Sequence, residues 1–304
     1  MNRWSVAILV FIFFCLGLII GYKSNAVNKI TKTVTNSNEV REGGYSYINP
    51  LLECEYTENF GSTEFAALES DLKRFVDSDG SNLQETAIYF RDLNNGPWFG
   101  INQDADFAPA SLLKVPVMMA YLKISESDNT LLQKKIKFEE RIDISQSPVF
   151  LADSDLKIGE EYTIDELLTR MIVNSDNQAL FLLRKNISQE QINEITLDLG
   201  VTTPITNTPD DFMSVKSYAS LFRILYNASY LEKNSSEKAL SLLAKTKFDK
   251  GLVAGVSKNI IVSHKFGEAE IQSGVKQLHD CGIVYYPRHP YLVCIMTRGN
   301  DYEK

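Results

Sequence analysis

The order in which strand-like and helix-like hydrophobic periods succeed one another restricts this chain's architecture more than any other feature. Residues 86–91 (TAIYFR) alternate as a strand, Asn94-Asn95-Gly96 reads as a hairpin turn, and residues 97–101 read as the return strand. A long helical stretch follows. It comprises an apolar helix over 111–123, a helix opened by Thr163-Ile164-Asp165-Glu166 and running to Asn174, and an apolar, central helix over 176–186. A helix capped at Ser188–Gln191 stops at Gly200, another runs to about Asn227, and a last one spans 236–245. Three strands close the sequence, over 259–265, 280–286 and 291–298. An amphipathic helix over about 62–77, marked by Phe65, Leu68, Leu72, Phe75 and Val76, precedes everything. Isolated hairpins are marginal, so the strands at the two ends must meet in one sheet. The helical middle is then an insertion with its own lobe, and the cleft between lobe and sheet is the natural place for a site.

The N-terminus stands apart from that domain. Residues 4–22 (WSVAILVFIFFCLGLIIGY) carry no charge, long enough to span a ~30 Å hydrocarbon core, with Trp4 and Tyr22 at the two interfaces. The expectation for 1–22 is an uncleaved transmembrane anchor. The rival is a signal peptide cleaved near Ser24-Asn25-Ala26. Cys15 follows Phe-Phe, a poor context for lipoprotein processing, and reads as a small lipid-facing residue. Residues 23–44 are rich in Asn, Thr, Lys and Ser and read as a flexible tether to a domain over 45–304. Arg3 before the span against Lys23, Lys29 and Lys32 after it would by charge counting place that domain in the cytoplasm. The chemistry below argues for the opposite side.

Composition excludes several classes. A net charge of −8, from 31 basic and 39 acidic residues, disfavours nucleic-acid binding. With 3 His, 4 Cys and no CxxC or HxxxH spacing, zinc and thioredoxin-like redox chemistry are disfavoured, and no cofactor or metal is expected.

Three short motifs occur in order: Ser111-Leu112-Leu113-Lys114, Ser175-Asp176-Asn177 and Lys265-Phe266-Gly267. Each alone is weak. S-x-x-K recurs at Ser70, Ser154, Ser235 and Ser273, S-D-N at Ser127, and K-x-G at Lys157. Context separates them. Ser70 lies on the charged face of the first helix, Ser235 reads as a cap before a helix, and Ser154 and Ser273 fall in polar loops. Ser111, by contrast, opens a helix that continues Val-Pro-Val-Met-Met-Ala, too apolar to face water, so Lys114 is buried and needs a reason. Positions i and i+3 share a helix face, so Lys114 can reach the Ser111 hydroxyl, and desolvation shifts a lysine toward use as a general base. Pro116 removes a backbone donor early in the helix, which predicts local irregularity. Ser175 falls at a helix junction, and Lys265 ends an apolar strand.

From about Phe60 to Arg298 the chain resembles the class A β-lactamases and penicillin-binding D,D-peptidases, whose signature is S-x-x-K, S-D-N and K-[ST]-G in this order. The resemblance implies an α/β (α+β) β-lactamase/transpeptidase-like fold: an antiparallel five-stranded sheet flanked by helices, with an all-helical lobe inserted at about 108–215. It implies that Ser111 is acylated, that Lys114 takes its proton, and that Ser175 relays a proton to the leaving nitrogen. Asn177 would position Lys114 and the substrate amide. Lys265 would set a positive field beside Ser175 and the substrate carboxylate. Gly267 and Glu268 would line the substrate, the backbone N–H groups of Ser111 and Glu268 forming the oxyanion hole. The implied partners are a β-lactam or a peptidoglycan stem peptide ending in D-Ala-D-Ala, met on the extracytoplasmic face.

The sequence departs from the family pattern in three places. After Gly200 the family's Glu-x-x-Leu-Asn loop, whose Glu activates the deacylating water, is replaced by a shorter segment without Glu. Asp210 and Asp211 are its nearest carboxylates and read as acids in the first turn of the next helix. Phe266 stands where the family has Ser or Thr, which weakens carboxylate recognition. The family's closing helix is expected to be missing after Gly299-Asn300-Asp301.

Pairing 286 with 289 would place Cys281 opposite Cys294, as a disulfide or as two small core residues. Cys54 has no evident partner. His264, His279 and His289 are scattered and read as surface or turn residues. Asn186, Asn227 and Asn234 match N-x-[ST] by chance. Three functions compete: a slowly deacylating serine acyl-enzyme hydrolase, an efficient β-lactamase, and a catalytically inactive cell-wall binding module.

Overall fold

The computed structural model describes residues 39–54, 65–78, 83–94, 96–143, 149–150, 154–201, 210–271 and 274–302. The apolar stretch at 4–22 and Cys15 lie outside the described residues, as do Ser273 and most of the segment after Gly200. Among the described residues no helix is long and apolar enough to cross a membrane.

Strands β1 (Glu39–Arg41) and β2 (Leu51–Cys54) form an antiparallel pair. Composition assigns 39–41 to the tether, but pairing takes them into regular structure. The segment between the strands is held by Glu237, whose carboxylate accepts from the N–H groups of Ser46, Tyr47 and Ile48. Helix α1 (Ala66–Asp77) follows and has no buried residue. Then come β3 (Leu83–Asp92), β4 (Trp98–Ile101) and the two-residue β5 (Asp106–Phe107).

The helical stretch begins with α2 (Lys114–Ser125), in which nine residues from Lys114 to Leu122 are buried. A helix apolar on every side belongs in the middle of a lobe. This helix, rather than the one after Ser175, is the central one. A small ribbon of β6 (Lys135–Lys137) and β7 (Glu161–Thr163) leads into α3 (Ile164–Val173), followed by α4 (Asn177–Lys185) and α5 (Gln189–Asp198). Strand β8 (Met213–Ser214) pairs with β5, so the chain leaves the helical stretch beside the point where it entered. Helices α6 (Val215–Asn227) and α7 (Lys233–Leu243) lead back to β9 (Val262–Glu270), β10 (Lys276–Val284) and β11 (Tyr291–Gly299).

Strands from the two ends of the chain do form one antiparallel sheet, ordered β4-β3-β11-β10-β9, with β9 at an edge. Cys281 lies opposite Cys294, as the turn count requires, and the two are joined as a disulfide in the core. Ser235 sits within α7 instead of capping it, and the residue at the cap is Glu232.

Both capping boxes read from the sequence are formed. Thr163 Oγ1 accepts from the Glu166 N–H at 3.1 Å while Glu166 accepts from the Thr163 N–H at 2.7 Å, and Ser188 with Gln191 repeats the arrangement. Removing a cap hydroxyl leaves a helix donor unpaired. Thr163→Ala is expected to lower unfolding stability by about 1 kcal/mol, read from urea denaturation midpoints at unchanged slope.

Candidate active site

The chain arrives at Ser111 through a strained turn. Ala110 has φ +49°, a left-handed conformation that costs an L-residue roughly 1–2 kcal/mol. Residues Ala110–Leu113 then form a 3₁₀ turn before the α-helix begins at Lys114. Pro116 sits within the first helical turn, where its missing N–H leaves no gap in the ladder. The irregularity expected at the helix start is this 3₁₀ segment, and Tyr218 anchors it by donating to the Leu112 carbonyl at 3.0 Å.

Ser175 is the second strained residue, with φ +53°. Its neighbours hold it there. The N–H groups of Asn174 and Asp176 both donate to the Arg170 carbonyl at the end of α3. The Asp176 side chain caps α4 by accepting from the Gln178 and Ala179 N–H groups at 2.8 and 3.1 Å. The kink between the helices turns Ser175 toward Lys114.

Lys114 is 1% exposed. Its Nζ donates to Ser111 Oγ at 2.9 Å, Ser175 Oγ at 2.9 Å, the Ser175 carbonyl at 2.6 Å and Asn177 Oδ1 at 2.6 Å. Burial pushes the ammonium pKa down to about 7, with Asp176 and Glu268 opposing the shift. Lys265 is wholly buried and donates to the same Ser175 Oγ and to the Phe266 carbonyl, each at 2.9 Å. Burial first, and then the charge of Lys114, hold its pKa well below the usual lysine range. Ser175 Oγ therefore bridges two amines, both shifted toward the neutral form. A hydroxyl within hydrogen-bond reach of such an amine is a nucleophile–base pair, and the bridge offers a route for a proton away from Ser111.

Lys265 lies in the interior of β9 rather than at a strand end, because the ladder with β10 continues to Glu270. Gly267 follows where β9 passes the turn that carries Ser111. A Cβ there would lie 2.9 Å from the Pro109 carbonyl oxygen and 3.0 Å from Leu112 Cγ, so only glycine permits this approach. Glu268 is half-buried at the same edge, and its Oε1 accepts from the Val149 N–H at 3.0 Å. Desolvation raises its pKa, opposed by the Val149 and Phe150 amides and by the two lysines. Phe266 is buried, stacks on Phe248 with centroids 4.3 Å apart, and has Lys265 Nζ 4.2 Å from its ring centroid. Thus Ser111, Lys114, Ser175, Asn177 and Lys265 meet in one hydrogen-bonded set, with Gly267 and Glu268 beside it.

Sequence reasoning missed some residues that support the set. Ser154, read as solvated, donates to Asp176 Oδ2 at 2.6 Å and so steadies the cap of α4. Gln178 exchanges two hydrogen bonds with the Ile142 backbone, at 2.8 and 3.0 Å, and ties the 139–143 segment to α4. The one signal for Ser154 was an S-x-x-K that could not be the nucleophile. Asp211 is not in a first helical turn, because Ser214 caps α6. Its carboxylate accepts from Gln277 Nε2 at 2.8 Å and pairs with Arg298 at 3.0 Å. Asp210 is exposed. Two of the histidines are interior, not surface: His264 meets the Asp280 carboxylate through Nδ1 at 2.8 Å, and His279 meets the Ala108 carbonyl through Nε2 at 3.0 Å. Among the described residues no cluster of three or more His, Cys, Asp or Glu is placed to hold a metal.

Comparison with known proteins establishes the fold and the family. The model of the Beta-lactamase enzyme family matches residues 67–304. β-Lactamase VEB-1 of Pseudomonas aeruginosa is 22% identical over 206 residues, 62% of this chain and 68% of VEB-1. A PBP-A mutant solved as an acyl-enzyme complex with penicillin G superposes with a TM-score of 0.64 at 22% identity, covering 78% of this chain and 89% of PBP-A. A β-lactamase from Chitinophaga pinensis gives 0.65 at 17% identity, with 79% and 93% covered. At these identities the solved structures establish the fold, and the family match over most of the chain establishes membership. This chain belongs to the β-lactamase enzyme family and has the β-lactamase/transpeptidase-like fold.

Proposed function

We propose that this protein is a serine acyl-enzyme hydrolase acting on β-lactams or D-Ala-D-Ala-type peptides, and that it deacylates slowly. The observation that carries the reading is the position of Lys114 Nζ, 2.9 Å from both Ser111 Oγ and Ser175 Oγ, with its pKa near neutrality. In the unprotonated form Lys114 accepts the Ser111 proton as Oγ attacks the carbonyl carbon. The proton then passes through Ser175 to the nitrogen released when the C–N bond breaks. Lys265 keeps Ser175 oriented, and Asn177 keeps Lys114 in place. The backbone N–H groups of Ser111 and Glu268 receive the developing oxyanion.

Slow deacylation rests on the segment after Gly200, which contains no Glu, and on the engagement of Asp211, which is held by Gln277 and Arg298. The competing reading, an efficient β-lactamase, is favoured by the likeness to VEB-1. An extracytoplasmic, membrane-anchored location completes the proposal. It is supported by the uncharged stretch at 4–22, by a disulfide suited to an oxidising compartment, and by the substrates, which are met outside the cell.

Intact-mass analysis after incubation with benzylpenicillin tests the proposal. A stable adduct of one penicillin per chain is expected. Product without adduct would make the protein a β-lactamase, and neither would leave a binding module. The acylation rate should rise with pH and reach half its plateau near 7. Burial lowers the Lys114 pKa, so the base form is absent below that value and present above it. A rate that is flat from pH 5 to 9 would remove Lys114 from that role.

A further inference from the structure

On strand β9, residues two apart share a face, so Phe266 and Glu268 are presented together at the edge beside Ser175 and Lys265. In the family pattern this corner offers a hydroxyl and a lysine field to a substrate carboxylate. Here neither is on offer. The Phe266 ring is buried in a stack with Phe248, which packs edge-on against Phe150, which packs against Tyr302 at 5.7 Å. These four rings form an aromatic wall where the hydroxyl would stand. Lys265 is wholly buried and donates to Ser175 Oγ and the Phe266 carbonyl.

The corner already contains a carboxyl group. Glu268 Oε1 is fixed by the Val149 N–H, and its Oε2 is buried with no hydrogen-bond partner among the described residues. Its charge is felt at both Lys114 and Lys265. A second carboxylate brought to the same corner would meet Glu268 with the same sign and the aromatic wall with no donor. Burying a charge without a partner is costly, whereas an uncharged amide can donate an N–H to Glu268.

We propose that Glu268 and Phe266 make this site selective for acyl donors whose group beside Ser175 is an uncharged amide instead of a carboxylate. The inference rests on the acyl-enzyme reading above and narrows its substrate class. In either case Ser111 Oγ bonds to the lactam carbonyl carbon, the C–N bond opens, and the nitrogen takes the proton that leaves Ser111.

The test compares benzylpenicillin with its carboxamide, two probes with the same strained ring, by the rate of adduct formation on the full chain. The carboxamide is expected to acylate about tenfold faster or more, the scale of one hydrogen bond to a charged group gained or lost in a buried site. Glu268→Gln should reduce the ratio toward one, and Phe266→Thr should move it further toward the carboxylate. The ratio between probes is unmoved by a merely structural change that slows both. Because Phe266 is buried and its replacement can unfold the sheet edge, Glu268→Gln carries the decision. Faster reaction with benzylpenicillin, or a ratio that Glu268→Gln leaves in place, would overturn the selectivity while leaving the acyl-enzyme reading intact. An absence of adduct with either probe would overturn that reading, and the selectivity with it.

Discussion

Ser111→Ala will abolish covalent labelling by β-lactams while the protein stays folded. In the proposed mechanism Ser111 Oγ is the one atom that forms the ester, and the alanine side chain is smaller and tolerated in a 3₁₀ turn. The expected effect is complete loss of adduct in intact-mass spectra, with an unfolding free energy unchanged to within about 0.5 kcal/mol. A control is built into the sequence. Ser70 shares the S-x-x-K spacing but is exposed on α1, so labelling that survives the change and maps to Ser70 would end the assignment. Retained labelling at any other serine would do the same.

The acyl-enzyme should outlast the chemistry that forms it. Loss of a positioned general base typically costs ~10²–10⁴ in rate. With a chromogenic cephalosporin, wild type should show a burst close to one equivalent followed by a steady state slower by about that factor. Asp210→Asn should leave the slow phase unchanged, because that carboxylate is exposed. Asp211→Asn should lower stability rather than the slow rate, because it breaks the pair with Arg298. Fast turnover without a burst, lost in either variant, would identify a displaced aspartate as the deacylating base and make this a β-lactamase in practice.

The features legible in the sequence are those written in local periodicity. The caps at Thr163 and Ser188 are local, since each needs only a residue three positions on. The facing of Cys281 and Cys294 follows from counting outward from one turn. The i, i+3 relation of Ser111 and Lys114 belongs to the same class. The rest depends on contacts between distant segments. Nothing near Asp211 announces Gln277 and Arg298, and nothing near Ser154 announces that its hydroxyl reaches Asp176. The apolar run stops at Lys265 and so reads as a strand end. The strand continues because β10 supplies hydrogen bonds whatever side chains follow. Phe266 is visible in the sequence as a departure, but its partner Phe248 lies across a loop and is brought there only by the fold.

Counting protons around Lys114 gives one more consequence. The amine that takes the Ser111 proton has two hydrogens and one lone pair, and four oxygens lie within reach of this Nζ. With the hydrogens on the two nearest oxygens, the Ser175 carbonyl and Asn177 Oδ1, each at 2.6 Å, the hydroxyls of Ser111 and Ser175 compete to donate to one lone pair. Acylation turns Ser111 Oγ into an ester with no proton to donate, and transfer of that proton to the leaving nitrogen returns Lys114 to the amine. One hydroxyl, that of Ser175, then faces one lone pair. The resting site is over-subscribed by one, and the modified site balances. A covalent intermediate that relieves a mismatch in its own surroundings has a reason to persist, independent of any missing water-activating group.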